Sequence, residues 1–338
     1  MNGSTSTPAL PPAVPDASPA TTPAVAPADI TVEPRELPSV GVVIPTRNRP
    51  ELMLRALDAA LAQDYAGPLR VIVVYDGTPP DYLLARTAPH PVMVLGNWRT
   101  PGLAGTRNTG VLGLDTDLVA FCDDDDRWLP QKLRTQVDAL LAAPAGTEFV
   151  TCAIEVHHEG NVVPRLAGQG TVYLDDLVKS RMSMLHSSTF MVRRESMLNG
   201  LGLVAEDAPG SQNEDWDMLL RAARRAPIVH VDTPLVEVLW GASSHFAYEY
   251  ATKISSLRWM MSRHPEIRGC RPGAARVYGQ LACWSAASGN KRDAWAFTRK
   301  AVRNNWREPR AAIAIAAATG VVSVDKVLSA LQRRGHGI

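Results

Sequence analysis

The sequence predicts an α/β fold in which helices cover both faces of a mainly parallel sheet. Three observations carry this prediction. Between residues 40 and 142, short apolar runs alternate with segments whose apolar residues recur at helical spacing. The apolar runs are continuous, which is typical of strands buried on both faces. The regular alternation of the two kinds of segment indicates repeated β-α-β units.

Each element of the first half has a local signal for its start or its end. Pro45 ends the first strand. The next helix has Pro50 in its first turn, where the missing N–H is harmless. The second strand breaks at Asp76-Gly77. The predicted strands are Val42–Ile44, Leu69–Tyr75, Pro91–Leu95 and Leu118–Cys122, and the predicted helices are Leu103–Leu114 and two that begin at Pro50 and Pro130.

The pattern changes after about residue 149. Two apolar segments flank residues 158–161, whose Gly-Asn pair predicts a β-hairpin. Beyond Ser243 nearly every segment has helical spacing, which predicts a C-terminal helical extension. The other predicted elements are strands at Phe149–Val156, Val162–Leu166, Ser188–Val192 and Leu235–Trp240 and a helix at Glu214–Arg224.

These patterns divide the chain into four segments. Residues 1–38 hold nine of the 26 prolines. Such a Pro/Ala-rich stretch cannot bury enough apolar surface to offset the entropy lost on ordering, so we expect a disordered tail. Residues 39–148 and 149–242 are predicted to form the two halves of the α/β domain. Residues 243–338 are predicted to form the helical region.

Composition excludes several classes of protein. Of 338 residues, 46 % are hydrophobic and 20 % are charged, as in ordinary globular proteins. The net charge of +1 argues against a protein that grips nucleic acid through its phosphates. The four cysteines form no CxxC pair, which favours a reducing compartment over a disulfide framework or a zinc site. No apolar run approaches the 20 or so residues of a membrane span, and no signal-peptide pattern opens the chain, so we expect a cytoplasmic protein.

Four consecutive aspartates, Asp123–Asp126, directly follow the predicted strand Leu118–Cys122. In open parallel sheets, ligands bind at the carboxyl ends of the strands. Neighbouring carboxylates repel one another, and a hard divalent cation that takes oxygen ligands removes that repulsion. The run therefore predicts a Mg²⁺ or Mn²⁺ site that bridges a diphosphate. The alternative is a solvated acidic turn at the start of the next helix.

Five segments, in this order, resemble family 2 glycosyltransferases with the GT-A fold. They are VVIPTRNRPELMLRALDAAL, VVYDG, GLAGTRNTG, FCDDDDRWLPQKL and NEDWDMLLRA, and the resemblance runs from about residue 39 to residue 240. It implies the GT-A (nucleotide-diphospho-sugar transferase) fold. It also implies a metal-dependent, inverting transfer of a sugar from a nucleoside-diphosphate-sugar donor to a hydroxyl acceptor on a glycan, a lipid or a small natural product.

The resemblance implies a donor site at the ends of the first strands. Pro45 and Thr46 would lie against the nucleotide base, and Asp76 would hydrogen-bond to it. The family often has Asp-Asp-Gly-Ser where this sequence has Tyr-Asp-Gly-Thr, so one carboxylate is missing. Arg107 matches the Arg-Asn of the family and suits a phosphate or the donor ribose. A β-turn role for Asp76 and a surface role for Arg107 remain alternatives.

The aspartate run allows two DxD registers, Asp123/Asp125 and Asp124/Asp126, and the distance to Trp128-Leu129-Pro130 favours the first. On that frame the resemblance makes Asp125 the principal metal ligand. Asp123 would support the metal, partly through water, and Asp124 would meet the ribose hydroxyls. Asp126 would either support these ligands from behind or cap the N-terminus of the next helix.

Asn213-Glu214-Asp215-Trp216 resembles the Glu-Asp motif of the family, which makes Asp215 the catalytic base and Glu214 its support or an acceptor contact. A carboxylate at a helix N-terminus is favoured in its ionised form, ready to take a proton from an acceptor hydroxyl. Ordinary acidic residues in a first helical turn are the alternative. Residues 210–213 would form a mobile loop over the acceptor.

Two histidines and one basic segment are weaker candidates. Relatives often have a metal- or phosphate-binding histidine just after a strand such as Leu235–Trp240, and here the nearest is His245. A helix-surface role is favoured for His245, and a structural role for His186. The basic stretch 291–338 could contact an anionic membrane peripherally, although solvated helix faces explain it more simply.

Three other functions are weighed against glycosyl transfer. A nucleotidyltransferase usually has a glycine-rich loop with a basic residue after its first strand, and Pro45–Arg49 contains no glycine. A catalytically silent binding or scaffold protein that kept the fold is disfavoured by the presence of Asp125 and Asp215. A dehydrogenase is weaker still, because no GxGxxG follows any predicted strand.

Overall fold

A ten-stranded sheet is the centre of the protein in the computed structural model, which describes residues 1–3, 36–158, 160–239, 249–319 and 327. The chain divides into two units, Met1–Glu36 and Leu37–Ile338, and every strand and helix below belongs to the second. Most of the predicted tail, residues 4–35, lies outside the described residues.

The strands follow one another across the sheet in the order β3-β2-β1-β4-β9-β6-β10-β5, with β7 paired to β6 and β8 paired to β10. Their bounds are β1 Val40–Thr46, β2 Leu69–Tyr75, β3 Val92–Gly96, β4 Leu118–Phe121, β5 Asp126–Trp128, β6 Phe149–His158, β7 Asn161–Arg165, β8 Thr171–Val172, β9 Met191–Arg193 and β10 Ile228–Leu239.

The sheet is mainly parallel, as the sequence predicts. Among the described residues, β1, β2, β3, β4, β6 and β10 run in one direction. β1 is central and pairs in parallel with both β2 and β4. β9 runs against its neighbours β4 and β6. The carboxyl ends of β1, β2 and β4 therefore meet at one edge of the sheet.

Helices cover both faces of the sheet. Their bounds are α1 Pro50–Leu61, α2 Leu103–Gly113, α3 Lys132–Ala142, α4 Leu174–Lys179, α5 Arg194–Asn199, α6 Glu214–Arg225, α7 Tyr250–Arg263, α8 Pro265–Gly269, α9 Arg271–Ala287, α10 Lys291–Asn304 and α11 Pro309–Ala318. Apolar residues of α1 and α3 pack into one core cluster. Those of α2, α6, α7 and α9 pack into another, which fits alternation of side chains across the strands.

The predicted C-terminal helical extension is confirmed within residues 249–319. There α9 packs against α10 and α11, and the rings of Tyr278 and Phe297 stack with centroids 6.3 Å apart. No helix among the described residues is both long and apolar enough to span a membrane.

The predicted elements of the α/β half are confirmed with shifted ends, and two differ in substance. The strand expected over Ser188–Val192 is only Met191–Arg193, because residues 187–189 form a 3-10 turn. The helix expected from Pro130 starts at Lys132, because Pro130 and Gln131 form a turn, and an unpredicted short strand, β5, precedes that turn and pairs with β10. Two of the three residues of β5, Asp126 and Arg127, are polar, so no apolar run marked this strand in the sequence.

Candidate active site

The acidic run Asp123–Asp126 lies where β4 ends, at the same sheet edge as the ends of β1 and β2. We call this part of the sheet the acidic edge. Thr46 is the last residue of β1, and its hydroxyl donates a 2.8 Å hydrogen bond to Asp124. Asp76 directly follows β2. The parallel pairing therefore brings these predicted donor-site residues to one edge, as the sequence led us to expect.

A guanidinium joins the middle aspartates. Arg49, at the start of α1, donates from Nη1 to Asp124 over 3.1 Å and to Asp125 over 2.6 Å. Asp124 is almost fully buried, whereas 37 % of the Asp125 side chain is exposed. Arg49 therefore supplies part of the positive charge that this acidic edge requires.

Asp123 is linked to the second acidic pair through one buried arginine. Arg107 of α2 is 2 % exposed and donates to Asp123 over 2.6 Å and to Glu214 over 2.7 Å. Ser187 accepts from Arg107 and donates to Asp123 over 2.9 Å. The surface role weighed for Arg107 is therefore wrong, because its guanidinium is buried between two carboxylates that come from opposite sides of the site.

Asp126 is held by the 3-10 turn at residues 187–189. Ser188 Oγ donates to Asp126 over 2.5 Å, and His186 Nδ1 lies 3.2 Å from the same oxygen. Asp126 begins β5, and the N-cap of α3 is Gln131. The helix-capping alternative for Asp126 is therefore wrong, since the cap position lies five positions further along the chain.

The predicted catalytic pair opens α6. Glu214 and Asp215 are buried in the first turn of that helix. One oxygen of Asp215 accepts from the backbone N–H of Trp216 over 2.7 Å, and the other accepts from Arg181. Arg181 follows α4, so Asp215, the predicted base, forms an ion pair with a cation from a segment distant in sequence.

Burial sets the electrostatics of the acidic run. It raises the pKa of Asp125 to about 6, and the charges of Asp126 and Asp123 add to that rise. Burial also raises the pKa of Asp124 against the opposing hydrogen bond from Thr46. Repulsion between buried carboxylates favours the protonated form unless a cation is close. These acids therefore gain from any additional positive charge at this edge.

Two other groups are shifted by their neighbours. Burial and the charge of Asp215 raise the pKa of Glu214 to about 7, although Arg107 opposes this. Burial alone would lower the pKa of His186, but Asp126 attracts the imidazolium and brings that pKa to about 9. His186 is thus a charged partner of Asp126 at neutral pH and lies in the site, where the sequence favoured a structural role.

Asp76 is already well bonded. Its carboxylate accepts from Asn97 over 3.0 Å and from the backbone N–H of Gly102 over 3.1 Å, at the start of α2. Arg47 approaches it to 3.6 Å. Pro45 is buried within β1. These contacts place Asp76 at the predicted edge and also give it a role in fixing the start of α2.

The loop before the catalytic pair is bonded to α7. Asn213 donates to Ser256 over 2.7 Å, and Ser256 donates to the carbonyl oxygen of Gln212 over 2.5 Å. Gly210 and Asn213 have positive φ angles of 62° and 63°. The mobility predicted for this loop stays a prediction. His245 lies outside the described residues.

Two clusters within the described residues bring three potential ligand atoms within 4.8 Å of one another. One is Asp123, Asp126 and His186, which belongs to the acidic edge. The other is Glu155, His157 and Glu237, where Arg127 already donates to Glu237 over 2.5 Å. Asp123, Asp125 and Asp126 offer the carboxylate oxygens that Mg²⁺ and Mn²⁺ prefer, whereas the protonated His186 pairs with Asp126 and is not a ligand. The acidic edge therefore fits a divalent cation.

Comparison with known families agrees with this geometry. Residues 41–199 match the family Glycosyl transferase family 2. The chain carries a family 2 glycosyltransferase domain. That match covers β1 to α5, and thus the whole acidic edge.

The glycosyltransferase domain also has individual relatives. An uncharacterized glycosyltransferase of Haemophilus influenzae is 30 % identical over 93 residues, which cover 28 % of this chain and 31 % of that protein. The UDP-Glc:alpha-D-GlcNAc-diphosphoundecaprenol beta-1,3-glucosyltransferase of Escherichia coli is 22 % identical over 143 residues, which cover 42 % of this chain and 55 % of that protein. The chain therefore spans less than two thirds of these curated relatives.

Solved structures share the fold. S. aureus TarS 1–349 in complex with UDP has a TM-score of 0.55 and 13 % identity, and the likeness covers 83 % of this chain and 92 % of that one. The complex of TarS with UDP-GlcNAc has a TM-score of 0.56 and 14 % identity, covering 83 % of this chain and 88 % of that one. At this identity the likeness shows the fold, which is the GT-A fold that the resemblance implied.

Sequence reasoning missed four residues of the glycosyltransferase domain that bond to the predicted acids: Arg49, Arg181, Ser187 and Ser188. Arg49 and Arg181 carry no local pattern, because each pairs with acids more than 30 residues away. The run His186-Ser-Ser-Thr was the one available signal, since clustered hydroxyls and an imidazole after a loop suit hydrogen bonding to carboxylates.

Proposed function

We propose that this chain is a metal-dependent inverting glycosyltransferase that moves a sugar from a nucleoside-diphosphate-sugar to a hydroxyl acceptor. One observation carries the proposal. Arg107 bonds to Asp123 of the acidic edge and to Glu214 beside Asp215. The proposed cation site and the carboxylates at the N-terminus of α6 thus contact the same guanidinium. A donor diphosphate and an attacking hydroxyl must lie about that close together to react.

The donor occupies the ends of β1, β2 and β4 in this proposal. Pro45 and Thr46 lie against the base, Asp76 bonds to it, and Asp124 bonds to the ribose. Arg107 orients the phosphate or ribose region through the carboxylates it holds. The fold shared with TarS, which was solved with UDP and with UDP-GlcNAc, supports a nucleotide-sugar at this edge.

Asp125 is the principal ligand of Mg²⁺ or Mn²⁺ in this proposal, and Asp123 is the supporting one. The raised pKa of Asp125, caused by burial and by its acidic neighbours, supports a cation at this position. The bound metal supplies positive charge that neutralises the departing diphosphate, so no separate protein acid is required.

The chemical step then needs one base. The acceptor oxygen attacks the anomeric carbon as the bond from that carbon to the diphosphate oxygen breaks. The proton of the acceptor hydroxyl passes to Asp215, whose position in the first turn of α6 favours a carboxylate that can receive it. Attack on the face opposite the leaving group inverts the configuration. Glu214, which is held by Arg107, supports Asp215 from the adjacent position or contacts the acceptor.

Residues 39–148 bind the donor and residues 149–242 complete the acceptor side in this account. The base and its partner Arg181 both come from the second of these segments.

The test compares Asp215→Asn with the wild type. Release of nucleoside diphosphate is measured from UDP-, GDP- and dTDP-sugars with Mn²⁺ and a panel of hydroxyl acceptors. We expect the substitution to reduce turnover by about 10²–10⁴-fold, because general base catalysis contributes that much, while nucleotide binding is retained. Asp175→Asn, at an exposed position of α4, is the matched control. Undiminished turnover in Asp215→Asn, or nucleotide binding without turnover in the wild type, would overturn the proposal.

A further inference from the structure

Three arginines from three separate elements lie near one another, and one of them bonds to the proposed base. Arg181 follows α4, Arg276 lies in α9 and Arg310 lies in the first turn of α11. Arg181 bonds to Asp215, and both Arg181 and Arg310 lie close enough to Arg276 to disfavour its charge. The C-terminal helices therefore bring positive charge to the acceptor side of the domain.

Two glycines of α9, each about one turn from Arg276, allow α9 to pack closely against α4 and α11. A methyl group at Gly273 would lie 2.0 Å from the carbonyl oxygen of Val178 in α4. A methyl group at Gly279 would lie 2.8 Å from Cβ of Arg310 and 3.1 Å from Cγ of Glu308. Residues three apart are neighbours on a helix surface. Arg276 is therefore held between the end of α4 and the start of α11.

The three guanidinium groups differ in how they are compensated. Arg181 donates to Asp215. Arg310 donates from Nη1 to Glu308 over 2.7 Å, but its buried Nε has no hydrogen-bond partner. Arg276 has no ion pair or hydrogen bond with any described residue, and the one acid that attracts it, Glu308, is already bonded to Arg310. The cluster therefore has more positive charge than the acids around it compensate.

Repulsion among these arginines lowers the pKa of one of them. Partial burial and the neighbouring charges of Arg310 and Arg181 lower the pKa of Arg276 to about 10, below the usual range of a guanidinium. Among the described residues, Glu308 is the one acid that opposes this shift. A bound anion would offset the remaining repulsion.

We propose that Arg181, Arg276 and Arg310 form an acceptor subsite for a phosphate or diphosphate group, so that the acceptor is a phosphate-bearing molecule. This inference rests on the proposed function. The guanidinium fork matches phosphate oxygens in pairs, which an ammonium group cannot do. Because Arg181 also bonds to Asp215, a phosphate that binds Arg181 fixes the acceptor next to the base that receives its proton.

The first experiment measures binding of inorganic pyrophosphate to the full chain in EDTA by calorimetry. Without metal the donor edge is acidic and repels this probe, so binding reports the arginine cluster. We expect one pyrophosphate per chain, with affinity at least tenfold weaker in Arg276→Gln and partly restored in Arg276→Lys. Arg292→Gln, at an exposed position of α10, is the matched control. Equal affinity in Arg276→Gln, or no binding to the wild type, would overturn the proposal.

The second experiment separates the sources of the phosphate. Transfer is measured to a free sugar, to its 1-phosphate and to the same sugar on a diphospholipid in detergent. A lower KM for both phosphate forms indicates recognition of the phosphate itself, and a lower KM for the lipid form alone indicates a lipid-linked acceptor. Either preference should disappear in Arg276→Gln. A free sugar with a KM as low as the phosphate forms contradicts the subsite.

These outcomes remain distinct from failure of the proposed function. If the wild type binds nucleotides with Mn²⁺ but not pyrophosphate in EDTA, the donor site stands and the subsite fails. If pyrophosphate binds and no nucleotide does, the anion site stands and the glycosyltransferase proposal fails. Arg276→Gln should bind the nucleotide with Mn²⁺ as tightly as the wild type, because Arg276 takes no part in the acidic edge.

Discussion

The carboxylates of the acidic edge differ in how their charge is compensated. Asp123 bonds to Arg107 and Ser187, and Asp126 bonds to Ser188 and lies beside His186. Asp125 has Arg49 as its one hydrogen-bond partner within the described residues. Its pKa is raised to about 6 by burial and by Asp126 and Asp123. Asp125 is therefore the acid at which an added cation relieves the most repulsion.

The substitution Asp125→Asn should stabilise the metal-free protein at pH 8. In the unfolded chain an aspartate titrates near pH 4, whereas folding raises the pKa of Asp125 to about 6. The folded state therefore binds the proton more tightly, and stability is lost as pH rises through 6. Asparagine cannot ionise, so we expect the melting temperature in EDTA to rise by about 2 °C, a modest gain because 37 % of the side chain is exposed.

This gain should fade as the pH is lowered toward 4, because Asp125 is then protonated in the folded state and increasingly protonated in the unfolded state. Melting curves at pH 4.5, 6 and 8 in EDTA check the trend. Asp138→Asn, at an exposed position of α3, should leave the melting temperature unchanged at each pH. A lower melting temperature for Asp125→Asn at pH 8 would show that its bond to Arg49 outweighs the repulsion.

At this scale the sequence identified the acids but not their partners. Four aspartates after an apolar strand form a local pattern, and Glu-Asp before a helix is another. Arg107 was found because it lies in a recognisable segment. Arg181 and Arg276 could not be found, because their roles depend on contacts between elements that are far apart in sequence.

The elements meet closely where glycines allow it. In α2, a methyl group at Gly110 would lie 2.3 Å from Cγ1 of Val43 in β1. The glycines that count against a helix over Leu103–Leu114 therefore bring Arg107 near the end of β4. In α9, Gly273 has the same function toward α4. Local propensity could predict these helices but not the closeness of their packing.

The substitution Gly273→Ala should separate α9 from α4. The added methyl group would lie 2.0 Å from the backbone oxygen of Val178, which cannot move as a flexible side chain could. We expect a loss of about 1–3 kcal/mol in the free energy of unfolding, measured by urea denaturation. Gly269→Ala is the control, because nothing lies within 4 Å of the added methyl group there. Equal losses in both variants would show that the close approach of α9 is not required.

Topology at this scale was predicted in part. Continuous apolar runs indicated the parallel strands β1 to β4, because such strands must be buried on both faces. The insertion of β9 between β4 and β6 could not be read from the sequence, since a strand of three residues has no measurable period. That insertion puts His186, Ser187 and Ser188 beside the aspartates.

In the molecule as a whole, the proposed functional residues come from two parts of the chain, the α/β half and the C-terminal helices. Parallel strands bring the donor-site acids to one sheet edge, and α6 brings Asp215 to face them. The helices after residue 249 contribute Arg276 and Arg310 on the acceptor side. The family match ends at residue 199, so these arginines lie beyond it. The proposed donor-site residues therefore lie within the family match, whereas the proposed acceptor recognition depends on the extension.

The proposed function requires that the acidic edge bind a nucleoside diphosphate through a divalent metal. We would first measure the melting temperature of the wild type and Asp125→Asn with UDP, GDP or dTDP, each in Mn²⁺ or in EDTA. A ligand that binds only the folded state raises the melting temperature. We expect one nucleotide to raise it in Mn²⁺ but not in EDTA, and Asp125→Asn to lose this shift. No shift with any nucleotide, or the same shift in EDTA or in the variant, would overturn the proposal.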